Sequence, residues 1–97
     1  MKYITKYKSP NYNSRSKSKI KLIIIHYTAL RNTKEAITYL CTKEKKVSAH
    51  YLISQNGLIY NLVNEKFRAW HAGQSFWQDI VDINSFSIGI ELDYNPN

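Results

Sequence analysis

The alternation of apolar and polar positions divides this chain into a polar opening, a β-branched run, an amphipathic stretch, a hairpin and a late alternating strand. Residues 1–19 are rich in Lys, Ser, Tyr and Asn and read as an extended arm leading into the fold. A strand is predicted over residues 20–28, continuously apolar from Leu22 to Ile25. Such a run reads as a central strand covered on both faces. Asn32 with Glu35 three positions later is close to a capping box. Beyond it Ala36, Ile37, Leu40 and Cys41 recur on one helical face. The helix is predicted to run to about residue 45, where lysines suit its dipole. Residues 47–63 read as a hairpin, with strands over 49–54 and 58–63 and Asn56-Gly57 between them. Asn-Gly favours a type I′ turn with positive φ at both central residues. Residues 64–83 form a long aromatic-rich connection, which is usually functional or carries a short helix. In the last strand Ile88, Ile90 and Leu92 point one way, Gly89 and Glu91 the other. One helix among strands predicts an α/β class with a mixed β-sheet.

Composition narrows the function classes. Ninety-seven residues make at most one domain, and 43% apolar with 13% aromatic residues can support a core. The single Cys41 forms no intramolecular disulfide and no CxxC clip, and its place on the apolar helix face reads as packing. No segment reaches the length of a membrane span. The first residues lack an apolar signal core, so the chain is read as cytoplasmic, with the cell envelope as the other compartment. Residues 1–46 hold twelve Lys and Arg against two acids, whereas residues 47–97 hold two against five. A basic half can meet an anionic polymer, but no DNA- or RNA-binding motif accompanies it, so no nucleic-acid partner is expected.

Two polar residues break apolar strands. His26 ends the β-branched run, where a rigid strand can present a metal-competent side chain. Taken alone, such a histidine is more often structural and locally hydrogen-bonded. Glu91 lies between Ile90 and Leu92, and a buried carboxylate is costly unless it is paired, ligates a metal or moves a proton. Its bland reading is a surface or lysine-paired glutamate. His50 and His71 complete a set of three histidines, in principle a His₃ zinc site, although spacings of 24 and 21 residues match no local metal motif. Trp70 and His71, beside Gly73, read as a cleft wall, or as a tryptophan closing the core edge. No serine elbow, phosphate loop or paired-carboxylate motif is present.

Five segments taken in order carry a resemblance. They are Ser9-Pro10-Asn11-Tyr12-Asn13-Ser14-Arg15; Ile23-Ile24-Ile25-His26-Tyr27-Thr28-Ala29; Val47-Ser48-Ala49-His50-Tyr51-Leu52-Ile53 with Asn56-Gly57; Arg68-Ala69-Trp70-His71-Ala72-Gly73; and Asn84-Ser85-Phe86-Ser87-Ile88-Gly89-Ile90-Glu91-Leu92. Together they resemble the zinc-dependent type 2 N-acetylmuramoyl-L-alanine amidases, which share a fold with the peptidoglycan-recognition proteins. The resemblance implies a mixed β-sheet flanked by helices, with residues 20–97 forming the N-terminal portion of one amidase domain. It implies hydrolysis of the amide between the lactyl group of N-acetylmuramic acid and L-alanine, with peptidoglycan or a muropeptide as substrate. His26 matches the first zinc ligand and Glu91 the catalytic glutamate. Trp70 and His71 match the loop bordering the substrate groove, and His50 a position near the cleft that is not a zinc ligand, so the resemblance implies substrate-binding roles for all three. Gly89 would keep backbone clearance for the sugar-peptide chain. The family's other zinc ligands, a histidine and an aspartate or cysteine, follow the glutamate strand, as does a lysine near the last of them. The sequence ends at Asn97 before reaching them, so the zinc site and the fold are expected to be incomplete at the C-terminus. Three readings follow: an amidase piece inactive alone, a domain completed by a second chain, or a non-catalytic remnant that binds muropeptides.

Overall fold

A computed structural model describes residues 3–15, 19–73, 76–78 and 80–95. Its centre is a five-stranded mixed sheet. The strands are β1 (Tyr3–Ile4), β3 (Leu22–Tyr27), β4 (Tyr51–Ile53), β5 (Ile59–Asn61) and β9 (Ser87–Leu92), in the spatial order β1-β5-β4-β9-β3. The β3–β9, β9–β4 and β1–β5 pairs are parallel, and β4–β5 is antiparallel. β2 (Tyr12–Ser14) and β6 (Phe67–Ala69) form a separate antiparallel pair. So do β7 (Phe76–Trp77) and β8 (Ile80–Val81).

Helix α1 (Thr33–Cys41) covers the β4–β5 part of one sheet face. Ala36 and Leu40 meet Leu52 and Leu62 in the core, with Leu30, Ile37, Cys41, Val47 and Tyr60 around them. The Asn32 side chain accepts from the Glu35 amide at 2.9 Å, as an N-cap should. The Glu35 carboxylate turns to Arg31 at 2.9 Å instead, so among the described residues only the Asn32 half of the capping box is formed. The α-helix stops four residues short of its predicted end because Thr42 is extended, at φ −96° and ψ 122°. The Thr42 hydroxyl bonds back to the Thr38 carbonyl, and Asn11 Nδ2 donates to Thr42 O and Val47 O, both at 2.9 Å. A side chain from the opening segment thus binds the carbonyls where the helix ends. Residues Lys43–Lys45 form a separate 3-10 turn.

Three other expectations change. The opening residues do more than lead into the fold: β1 extends the sheet, β2 pairs with β6, and both satisfy edge groups that would otherwise seek partners. The hairpin turn is not type I′. Gly57 has φ 85°, whereas Asn56 is not among the positive-φ residues, and the Gly57 amide donates to Ser54 O at 2.9 Å. This matches a type I turn followed by a left-handed glycine. Most consequentially, β3 is not central. Among the described residues it is an edge strand of the sheet, and Ile23, Ile25 and Tyr27 are 66%, 62% and 59% exposed. The central strand is β9, between β4 and β3. The 64–83 connection carries short strands, and its 3-10 turn, Ile83–Phe86, begins only at its end.

Candidate active site

The parallel register of β3 and β9 builds the site. It aligns Leu22 with Ser87, Ile24 with Gly89 and His26 with Glu91. Residues so aligned share a face, so the His26 imidazole and the Glu91 carboxylate project from neighbouring strands on the same side. Glu91 is 8% exposed. Burial alone pushes its carboxyl up to about 7, with no neighbouring charge contributing. A carboxyl balanced between its two forms near neutrality is suited to accept and return a proton.

His71 lies over Gly89 and is 8% exposed. A Cβ on Gly89 would sit 2.3 Å from His71 Cδ2 and 2.4 Å from Cγ, so only glycine lets the ring rest there. The clearance expected for substrate is therefore filled by a side chain of the protein. The His71 ring is held at both nitrogens: Nε2 lies 2.9 Å from Ser87 Oγ, and Nδ1 lies 3.1 Å from His26 Nε2. The Asn84 side-chain oxygen, Oδ1, accepts from the backbone amides of His71 and Ala72, at 3.1 and 2.9 Å. Burial is the main cause that pushes His71 down to about 3, with His26, His50 and Arg15 adding to it. Burial also lowers His26.

The Trp70 amide donates to Ser48 Oγ at 2.8 Å, and its indole N–H donates to Asn13 Oδ1 at 3.1 Å. The half-buried ring is thereby tied to β2. His50 behaves differently. It is fully buried, its Nδ1 accepts from the Gly89 amide at 3.0 Å, and its Nε2 donates to Phe67 O at 2.8 Å. Both nitrogens are spent inside the fold, where His50 fixes the β9 backbone beneath the site. Burial is again the largest cause lowering its pKa. Three histidines do gather, with ring centroids 5.3 Å apart for His26–His71 and 6.3 Å for His50–His71. Their nitrogens nevertheless do not converge. Among the described residues no group of three or more His, Cys, Asp or Glu side chains could hold a metal ion.

Two supporting residues were not singled out as site residues from the sequence, Asn84 and Arg15. Arg15 donates to Phe67 O at 2.8 Å, Ser87 O at 3.0 Å, Ser85 O at 3.1 Å, Asn84 O at 3.2 Å and Glu65 O at 3.0 Å. One guanidinium therefore joins β6, the 3-10 turn and the start of β9. Its presence inside a recognisable motif was the only available signal, since nothing in local periodicity predicts five carbonyls converging on one side chain.

An α/β domain with a buried carboxylate and an imidazole on adjacent parallel strands is the class defined by this geometry. The family model described as N-acetylmuramoyl-L-alanine amidase matches residues 16–97, and the chain belongs to that family. It is 42% identical over 82 residues to the N-acetylmuramoyl-L-alanine amidase AmiD of Escherichia coli (strain K12), covering 77% of this chain and 29% of that protein. The crystal structure of a selenomethionine AmpD derivative superposes with a TM-score of 0.83 at 28% identity, over 95% of this chain and 61% of that one. The complex of E. coli AmiD with the substrate anhydro-N-acetylmuramic acid-L-Ala-D-gamma-Glu-L-Lys gives a TM-score of 0.70 at 36% identity, over 93% of this chain and 35% of that one. The chain thus spans about three-tenths of the curated AmiD and about three-fifths of the AmpD structure. Among the described residues no helix is long and apolar enough to cross a membrane.

Proposed function

We propose that this chain forms the N-terminal part of an N-acetylmuramoyl-L-alanine amidase, which hydrolyses the amide between the lactyl group of N-acetylmuramic acid and L-alanine in a muropeptide. The observation that carries this reading is Glu91. It is a buried carboxyl with a pKa of about 7, aligned with His26 across a parallel strand pair. Glu91 accepts a proton from the attacking water and returns it to the departing amine of L-alanine, as a group poised near the working pH can do. Trp70 borders the groove, and His71 orders the His26 side of it.

Family membership implies zinc, which would polarise the scissile carbonyl and acidify its water. A catalytic zinc needs three protein ligands and an open position. The described residues offer His26 and no three-donor group, so they do not fit that ion by themselves. The remaining donors would have to come from further polypeptide, in the same chain or in a second one. The same shortfall favours an alternative reading, a module that binds muropeptides without cutting them.

Incubating the purified chain with an anhydro-muramyl tripeptide, with and without added Zn²⁺, separates the two. Released tripeptide that depends on Zn²⁺ and disappears in Glu91→Gln supports the amidase reading for this chain. Saturable binding without release, unchanged by chelator, supports the binding module. If product forms equally in Glu91→Gln, the role assigned to Glu91 is wrong.

A further inference from the structure

The hydrogen bonds around His71 leave only one consistent arrangement of protons. Ser87 Oγ lies 2.8 Å from Ile83 O, a carbonyl that can only accept, so the serine's single hydrogen is used there. Ser87 Oγ must then accept from His71 Nε2, at 2.9 Å. A neutral imidazole protonated at Nε2 carries a bare lone pair at Nδ1. That lone pair faces His26 Nε2 at 3.1 Å, so His26 must be the donor.

We propose that His71 is a positioning residue for His26: it holds the His26 proton on Nε2 and leaves Nδ1 as the unprotonated donor atom of the ring. Ile83 O, Ser87 Oγ, His71 and His26 form one directed chain that starts at a backbone carbonyl. No hydrogen bond to His26 Nδ1 occurs among the described residues. The ring of His71 is kept in line by the absence of a Cβ on Gly89 and by the Asn84 grip on its backbone. A partner that fixes the tautomer and aim of a donor imidazole is the usual support for a metal-ligating histidine. The tautomer follows from this geometry alone. Its use toward a metal rests on the reading of His26 in the previous section.

The test is ¹⁵N NMR of the full chain with labelled histidines. In the metal-free protein we expect His26 and His71 both protonated on Nε2, with a through-bond ¹⁵N–¹⁵N coupling between His26 Nε2 and His71 Nδ1. A proton on His26 Nδ1, or on His71 Nδ1, overturns the proposal. In His71→Phe the coupling is gone and the His26 Nε2–H exchanges with water about tenfold faster, the scale of one lost hydrogen bond. His71→Gln, which can still accept, restores slow exchange. If His71→Phe does not fold, Ser87→Ala serves: freeing His71 must weaken the coupling, and an unchanged coupling overturns the proposal. Titration with Zn²⁺ alone then separates the two claims. A shift of His26 Nδ1 with Nε2–H retained supports the ligand role. A joint response of His26 Nε2 and His71 Nδ1 means a shared metal and overturns the positioning role. No response at either ring overturns the reading of His26 as a ligand, and the metal-free spectrum still decides the tautomer.

Discussion

Replacing Gly89 with alanine puts the closest contact in the site under direct strain. The added methyl carbon would lie 2.3 Å from His71 Cδ2 and 2.4 Å from Cγ. Carbon atoms in good contact sit about 3.5–4.0 Å apart, so more than about 1 Å of movement is required. The ring has little freedom to supply it. Its Nε2 is bonded to Ser87 Oγ, Nδ1 to His26, and its backbone amide to Asn84. The strand is also held, since the Gly89 amide donates to His50 Nδ1 and its carbonyl accepts from the His50 amide, both at 3.0 Å. Overpacking of a filled site costs about 1–3 kcal/mol, and with both sides tethered the upper part of that range applies, ~2–3 kcal/mol. In a domain of this size each kcal/mol lowers Tm by roughly 4–8 °C, so a fall of at least about 8 °C is expected. Equilibrium urea denaturation gives the number directly, as a lower midpoint at unchanged slope. The companion variant His71→Ala removes the obstacle, so in the double variant the alanine at 89 should be nearly free, a coupling of about 1–3 kcal/mol. Gly89→Ala within about 0.5 kcal/mol of the parent, or costs that simply add in the double variant, would refute the reasoning.

Three further outcomes follow from the structure. Glu91 has a folded pKa of about 7, above the ordinary 4.5, so the folded state holds more protons between those values and stability falls as pH rises through that window. Glu91→Gln should therefore be more stable than the parent at pH 8 by about 3 kcal/mol and nearly equal to it at pH 4, as read from urea midpoints across pH. A pH-independent difference sinks this account. Arg15→Lys keeps the charge but loses the planar fork that reaches five carbonyls. A loss of ~2–3 kcal/mol is expected in thermal melts, and a neutral result would show the clamp to be dispensable. Ile23→Thr with Ile25→Thr alters side chains that are more than half exposed on an edge strand. Stability should stay within about 0.5 kcal/mol, while sedimentation velocity shows less self-association, and a large destabilisation would mean that face is covered.

Much was legible from local pattern. The helix start at Asn32, the hairpin around Gly57 and the shared side of Gly89 and Glu91 each follow from propensity and period, and each is in place. These features depend on residues a few positions apart, whose physics is carried by the neighbouring sequence. The motif segments carried the family in the same way, because they preserve residue types along the chain.

Strand order was not legible. An apolar run such as Leu22–Ile25 is equally compatible with a central strand and with an edge strand whose outward side chains are bare; the periodicity of one strand does not reveal its neighbours. The roles of the histidines were likewise decided by the tertiary fold. His50 and His71 are both polar residues next to apolar stretches. One has both nitrogens consumed by Gly89 and Phe67, and the other faces His26 across a gap that only Gly89 leaves open. The sequence determined that His26 and Glu91 stand at the matching ends of two strands. Pairing those strands in parallel, with His26 level with Glu91, required contacts between residues more than sixty positions apart, which no local pattern encodes.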